Sequence, residues 1–203
     1  MREPMLEPVL EPVLEIEQFV PPSYADVLEG VICKNPEFLW QFNASTNNQK
    51  EPQIMRKTDS AYESEQFVHA LFQEGEKRSL FFDVIFPLFY FLEDKTGVVL
   101  SHIERMKANM LLKKSTDANM YNTPHIDIPD ANFKSLLYYV SDSDGDTFIF
   151  NETYTHKKDL TVRKRVSPKK GKAVLFDSNI WHASSNPRAN ANRVVLNFIF
   201  GVK

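Results

Sequence analysis

The stretch His125-Ile126-Asp127 decides the fold, because the C-terminal half of the chain is organised around it. Residues two positions apart in an extended segment point to the same face, so the imidazole of His125 and the carboxylate of Asp127 converge. An imidazole and a carboxylate that meet at one point can hold a divalent metal ion if a third ligand joins them. His182 is the best candidate for this third ligand.

The composition is that of an ordinary globular protein. Of the 203 residues, 42% are hydrophobic and 25% are charged, which suits one domain with a core of its own. The formal charge of −3 gives no general attraction to nucleic acid or to a membrane. The single cysteine, Cys33, has no partner for an internal disulfide, and the N-terminus lacks the apolar segment of a signal peptide. We therefore expect a cytoplasmic protein, whose oligomeric state the sequence leaves open.

The pattern along the chain predicts a short tail followed by one domain. Residues 1–18 repeat a Glu-Pro-x-Leu unit, whose prolines disfavour a helix, and predict an extended tail. Residues 19–97 are expected to supply supporting helices, one capped by Ser23 and one, kinked at Pro87, over 80–95. Residues 98–203 are expected to form a core of strands.

After residue 97 the hydrophobic residues alternate with a period of two, which is typical of strands. The candidate strands, separated by turn residues, are 98–103, 106–113, 133–140, 147–154, 160–166, 172–176 and 194–202. Strands at this spacing predict an antiparallel sandwich or barrel, with the preceding helices packed on one outer face. The fold class is therefore mainly β, with an α+β arrangement.

Further features follow in a fixed order: Tyr138 and Tyr139, glycine turns at Gly145 and Gly171, and Arg193 eleven residues after His182. From about residue 105 to residue 200 the chain resembles the Fe(II)- and 2-oxoglutarate-dependent dioxygenases, and within them the prolyl 4-hydroxylase-like branch. It looks closest to small stand-alone members, of the kind that bacteriophages also encode, which would place it in the host cytoplasm. The resemblance implies a double-stranded β-helix, a jelly-roll or cupin-like barrel with the metal at one mouth.

The resemblance also assigns roles to single residues. It implies that His125, Asp127 and His182 bind Fe(II), that Arg193 binds the distal carboxylate of 2-oxoglutarate, and that Tyr139 donates a hydrogen bond to the same carboxylate. A guanidinium suits this role, because it makes two parallel hydrogen bonds to a carboxylate. The implied reaction uses O₂, with ascorbate as a supporting reductant, hydroxylates a C–H bond, and releases succinate and CO₂.

Two positions depart from the pattern of the family. Lys113 stands roughly where several prolyl hydroxylases carry a tyrosine that binds the co-substrate, and Asn109 or Tyr121 is expected to replace that contact. Arg188, in the loop before Arg193, is the competing guanidinium. Arg193 is favoured because an apolar strand follows it directly.

The substrate is predicted from the resemblance and not from a motif. A prolyl residue of a protein or peptide is the expected target, and a small-molecule substrate fits the same kind of site. Arg105, Lys107 and Tyr121 are candidates for lining the substrate groove. The polar loops 43–64, 114–124 and 128–132 are candidates for shaping it.

Two other functions are compatible with the sequence. The fold could be a sensor or interaction module that binds metal and 2-oxoglutarate without turnover, with the tail and the loop 43–64 as docking elements. A cupin-like isomerase could use the same three ligands with zinc or manganese, although its chemistry has no need of the carboxylate clamp of Arg193.

Overall fold

The computed structural model describes residues 13–46, 56–154 and 159–203. Its helical segments are α1 (Pro22–Glu29), which continues into a π-helical turn (Gly30–Lys34), α2 (Phe82–Ile85) and α3 (Leu88–Thr96). The strands of these residues are β1 (Val13–Ile16), β2 (Gln41–Asn43), β3 (Ala61–Tyr62), β4 (Gln66–Gln73), β5 (Glu76–Lys77), β6 (Leu100–Leu112), β7 (Tyr121–Asn122), β8 (Phe133–Tyr139), β9 (Thr147–Thr153), β10 (Val162–Val166), β11 (Ala173–Asp177), β12 (Ile180–Ser184) and β13 (Asn192–Val202).

The strands form two packed sheets and a small parallel pair. The large sheet has the order β1-β11-β8-β13-β6-β4-β2, with β5 beside β4, and the small sheet has the order β10-β9-β12. Side chains from both sheets share one apolar cluster, in which Leu137 and Val195 of the large sheet meet Ile149 and Ile180 of the small sheet. The predicted fold class, mainly β with a jelly-roll core, is therefore confirmed.

The helices cover the outer face of the large sheet. On β13, Leu196, Phe198 and Phe200 belong to the cluster that the helices share, whereas Val195 faces the small sheet. The ring of Phe89 on α3 lies 5.4 Å from that of Phe198 and 5.2 Å from that of Phe200, measured between centroids. This alternation along one strand leaves the inner face of the large sheet free to build a site.

The structure corrects the predicted helices. Residues 80–95 form two short helices and not one kinked helix, because Pro87 lacks the N–H that would continue the first helix and instead precedes α3. The helix α1 begins at Pro22 with Pro21 at the N-cap position, so Ser23 lies inside the helix and does not cap it. Gly97 ends α3 in the left-handed region, with φ of 71°.

The strands differ from the predicted ones in several places, and β12 (Ile180–Ser184) was not predicted. The predicted strands 98–103 and 106–113 form one long strand, β6, which pairs with β13 along most of its length. Val13–Ile16, predicted as part of the tail, pairs with β11 as an edge strand, since Val13 is buried against the core. Residues 1–12 and the central part of the loop 43–64, residues 47–55, lie outside the described residues. Among the helices described, none is long and apolar enough to cross a membrane.

Candidate metal centre

The backbones of His125 and His182 are joined by a two-way bridge. The N–H of each residue donates to the carbonyl oxygen of the other, both at 2.9 Å, and the two imidazole centroids lie 4.4 Å apart. Two residues further on, the N–H of Asp127 donates to the carbonyl of Ser178 at 3.0 Å. These contacts bring one ligand atom from each of His125, Asp127 and His182 within 4.8 Å of one another.

The orientation of His182 leaves one ring nitrogen free for a metal. Its Nδ1 lies 3.0 Å from the carbonyl oxygen of Ile180, so Nδ1 carries the proton and donates it. The other nitrogen, Nε2, lies 3.7 Å from Oδ2 of Asp127, on the side where the three ligand atoms meet. This is the outer contact that typically orients a metal-binding histidine.

Asp127 is held by groups on two strands of the large sheet. Arg105 on β6 donates to Oδ1 at 3.1 Å, and the hydroxyl of Ser135 on β8 donates to Oδ2 at 2.6 Å. Ser178 lies behind Ser135, with 2.9 Å between the two hydroxyl oxygens. Burial alone would raise the pKa of Asp127, but His182 and Arg105 outweigh it and the pKa lies below its ordinary value.

The Nδ1 atom of His125 is buried and has no hydrogen-bond partner among the described residues. Burial, and next the neighbouring His182, holds the pKa of His125 well below its ordinary value. A neutral imidazole and an ionised carboxylate are the forms that bind a divalent metal. The donor set of two imidazoles and one carboxylate, with open positions opposite, therefore fits Fe(II).

A buried guanidinium lies in the same cavity as His125 and His182. Arg193, on β13, is 3% exposed; its Nε–H donates to the carbonyl oxygen of Gly145 at 2.7 Å, and its Nη2 donates to Oγ1 of Thr147 at 2.7 Å. The hydroxyl of Tyr139 donates to the same Thr147 oxygen at 2.8 Å. Within the described residues no carboxylate lies within 4.0 Å of this guanidinium, and its burial lowers the pKa of Arg193.

One cavity between the two sheets connects the metal ligands with this cation. His125, His182, Thr147 and Arg193 all line it, and so does Asn109. An anion with two carboxylates could therefore reach the metal position with one end and Arg193 with the other.

Of the other candidates for binding the co-substrate, the structure places Asn109 in the cavity and Tyr121 outside it. Asn109 lies in the cavity, and its Oδ1 has no partner among the described residues. Tyr121 does not line the cavity, because its ring packs against Phe148 and Phe150 and its hydroxyl lies 3.1 Å from that of Thr58.

Arg105 is bound to Asp127 at the metal centre, and a third of its side chain is exposed. Lys113 points outward at the end of β6, and Arg188 is an exposed residue beside Asp144. Of the two competing arginines, Arg193 is the one in the cavity.

Sequence reasoning missed two residues of the site. Ser135 holds Asp127, and Thr147 links Arg193 with Tyr139. Lys107, a candidate for the substrate groove, lines the cavity beside Asn109, because residues two apart on one strand share a face. For Ser135 and Thr147 only the paired strands bring the residues to the site.

No family model matches the chain, and no curated protein sequence matches it. Solved structures do match. An oxidoreductase of the 2OG-Fe(II) oxygenase family from Burkholderia pseudomallei has a TM-score of 0.63 at 15% identity, over 93% of this chain and 85% of that chain. A Pseudomonas putida prolyl-4-hydroxylase has a TM-score of 0.56 at 13% identity, over 96% of this chain and 94% of that chain.

The chain has the fold of the 2OG-Fe(II) oxygenases. A prolyl hydroxylase from Trichoplax adhaerens, solved with a peptide fragment of the hypoxia inducible factor oxygen degradation domain, shares it. Its TM-score is 0.59 at 11% identity, over 95% of this chain and 84% of that chain. The double-stranded β-helix implied by the sequence resemblance is thus confirmed, while the identities are too low to carry more than the fold.

Proposed function

We propose that this chain is an Fe(II)- and 2-oxoglutarate-dependent dioxygenase that hydroxylates a C–H bond and releases succinate and CO₂. One observation carries the proposal. The ligand atoms of His125, Asp127 and His182 converge within 4.8 Å, and the two histidines line a cavity that also holds the buried Arg193. Three protein ligands leave room on the metal for a bidentate 2-oxo acid and for O₂.

The residues of the chain bind and orient the reacting groups. His125, Asp127 and His182 would hold Fe(II), which supplies the activation of O₂ when it is bound, with 2-oxoglutarate as the co-substrate that is oxidised. Ser135 and Arg105 fix the carboxylate of Asp127 in one orientation.

Arg193 would bind the distal carboxylate of 2-oxoglutarate. Its Nε and Nη2 are already fixed by Gly145 and Thr147, so the guanidinium is oriented before any ligand arrives. Tyr139 is fixed by the same Thr147, and its hydroxyl can turn to the carboxylate. Asn109 is proposed as a further contact of the co-substrate.

The proposed substrate is a prolyl residue of a protein or peptide. Two of the structurally similar proteins are prolyl hydroxylases, and one of them was solved with a peptide. Thr46, within the polar loop 43–64, and Gln66, which follows that loop, line the cavity and support a role for the loop in shaping the entrance. The cytoplasm is the proposed location, and the free thiol of Cys33 supports it.

The test is succinate formation from 2-oxoglutarate in the presence of Fe(II), ascorbate and O₂. We expect the wild-type protein to form succinate and to add 16 Da to a prolyl peptide, as read by mass spectrometry. His125→Ala should abolish both, because it removes a metal ligand, whereas His102→Ala, an exposed histidine, should leave them unchanged. If the protein binds 2-oxoglutarate but forms no succinate with any substrate added, catalysis is rejected and a sensor module is favoured.

A further inference from the structure

The first described strand continues a sequence that is repeated in the residues before it. Residues 11–15 read Glu-Pro-Val-Leu-Glu and run into β1, and residues 7–11 have the same five amino acids. Residues 3–7 differ from them only by Met5 in place of valine. The strand β1 takes up one unit of this prolyl repeat (residues 3–15), so the described fold does not account for the other two.

Contacts with both sheets hold β1 in place. Val13 is 3% exposed and lies in a buried cluster with Phe176. The carboxylate of Glu15 pairs with Lys164 of β10 at 2.8 Å and with Lys172, next to β11, at 3.1 Å. The chain is therefore fixed from Val13 onward, and this fixed point determines how far each preceding residue can reach.

The fixed point lies at the end of the barrel where the proposed metal ligands meet. The strands β1 and β11 are antiparallel, and Val13 stands opposite Phe176, near the C-terminal end of β11. Just beyond that end, the carbonyl oxygen of Ser178 accepts the N–H of Asp127 at 3.0 Å. The ring centroid of Phe176 lies 4.9 Å from that of His182. One strand spacing of about 4.8 Å and one aromatic side chain thus separate Val13 from the metal centre.

Reach distinguishes the three prolines of the repeat. Pro12 is bonded to Val13 and stays within about 4 Å of it, measured between Cα atoms. Pro8 lies five residues and Pro4 nine residues before Val13. At about 3.6 Å per extended residue these lengths are about 18 Å and about 32 Å, enough for the chain to turn back to the metal centre. The centre is close to solvent, since 32% of the side chain of Arg105 beside it is exposed.

We propose that Pro8 and Pro4 are substrates of the metal site of the same chain, to which the anchored strand β1 tethers them. The proposal rests on the proposed function, since it names the prolyl segment that the oxygenase modifies. One oxygen atom of O₂ is inserted into a prolyl C–H bond to give a hydroxyl group, and the other enters the new carboxylate of succinate. The co-substrate 2-oxoglutarate supplies two electrons and loses CO₂. Pro12 has the same neighbours as Pro8 but lacks the reach, so it stays unmodified.

The test is incubation of the protein, without any added substrate, with Fe(II), 2-oxoglutarate, ascorbate and ¹⁸O₂. The protein is purified from cells grown without O₂, so that its prolines start unmodified. Tandem mass spectrometry of the tryptic peptide 3–34 then locates the label and separates it from oxidation of Met5. We expect one ¹⁸O atom on Pro8 or Pro4 or on both, and none on Pro12.

Two controls show that the label comes from the metal site of the same chain. Mn(II) occupies such sites without turnover, so its use in place of Fe(II) should give no label. In a mixture with the wild type, ¹⁵N-marked His125→Ala offers the same repeat without a working site. At roughly 1 µM protein, tethering should favour the wild-type repeat at least about 100-fold. Equal labelling of the two repeats would overturn intramolecular delivery.

Two further results would overturn the proposal while the proposed function stands. One is the absence of label on Pro8 and Pro4 under conditions in which the protein hydroxylates an added prolyl peptide. The other is a label on Pro12 equal to that on Pro8, since reach would then have no effect. A protein that forms no succinate and hydroxylates neither the repeat nor the peptide would instead reject the proposed function.

Discussion

Arg193 donates its Nε–H to the carbonyl oxygen of Gly145 at 2.7 Å, and Gly145 has no space for a side chain. A Cβ at this position would lie 2.6 Å from the carbonyl oxygen of Ser185, 2.8 Å from the backbone nitrogen of Pro187 and 3.0 Å from Cδ of Arg193. The turn that holds the guanidinium thus depends on a glycine for packing and not for a positive φ.

Gly145→Ala should therefore displace either the backbone around Ser185 or the side chain of Arg193. We expect a loss of about 1–3 kcal/mol in the free energy of unfolding, measured with urea, and weaker 2-oxoglutarate binding. Gly30→Ala is the matched control, because a Cβ at Gly30 would meet nothing within 4 Å. Equal stability and equal 2-oxoglutarate affinity in both variants would contradict this view of the turn.

Ser135→Ala tests the support of the metal ligand Asp127. The substitution removes the hydroxyl that donates to Oδ2, so the carboxylate loses part of its fixed orientation. We expect the Mn(II) affinity to fall about 10-fold, by calorimetry, with the fold retained. Ser101→Ala, at an exposed serine, should bind Mn(II) as the wild type does. If the two variants bind equally well, Ser135 has no role in the metal centre.

Ile126→Thr tests whether the residue between the two ligands contributes to the wall of the barrel and not to the metal centre. Ile126 is fully buried in the cluster with Phe148, Phe150 and Trp181. A hydroxyl placed there should cost about 1–3 kcal/mol in the free energy of unfolding while the Mn(II) affinity is unchanged. Val162→Thr, at a half-exposed position, should have little effect on stability. A variant that keeps its stability but loses metal would mean that the side chain of Ile126 faces the metal.

The carboxylate of Asp144 makes the stability of the loop before Arg193 depend on pH. Its carboxylate accepts the backbone N–H groups of Arg188, Ala189 and Asn190, with a shortest distance of 2.9 Å. Burial would raise the pKa of Asp144, but these hydrogen bonds outweigh it and lower the pKa below its ordinary value. The stabilisation is present above the unfolded pKa of about 3.9 and is lost as the pH falls through the lower folded value.

Asp144→Asn should accordingly reduce the free energy of unfolding by about 1 kcal/mol at pH 7, and the difference from the wild type should shrink below pH 4. The measurement is the melting temperature of both proteins across this pH range. Asp159→Asn, at an exposed aspartate, should match the wild type throughout. A difference that persists at low pH would mean that charge on Asp144 is not what orders the loop.

Much of the metal centre could be predicted from the sequence because its signal is local. The spacing of His125 and Asp127 places both on one face of an extended segment, and the structure brings His182 to the same point. The bridge between the backbones of His125 and His182 could not be predicted in this way. It depends on the strand β12, which the hydrophobic pattern did not reveal.

Other predictions from the sequence failed for physical reasons. The strand was predicted to break at residues 104 and 105, whereas pairing with β13 carries β6 through that point. Pro87 was expected to kink a helix, but a missing N–H can equally end one, and propensity does not distinguish the two outcomes. Tyr121 was a candidate to replace the tyrosine that several prolyl hydroxylases carry near Lys113, while burial of its ring against Phe148 decides its position.

The central claim is that His125, Asp127 and His182 hold a metal to which 2-oxoglutarate binds with the help of Arg193. Anaerobic calorimetry of 2-oxoglutarate on the protein with and without Mn(II) tests it most directly. The account predicts binding that requires the metal, that disappears in Asp127→Ala, and that weakens at least about tenfold in Arg193→Met but not in Arg188→Met. Metal-independent binding, or binding that survives Asp127→Ala and Arg193→Met unchanged, would contradict it.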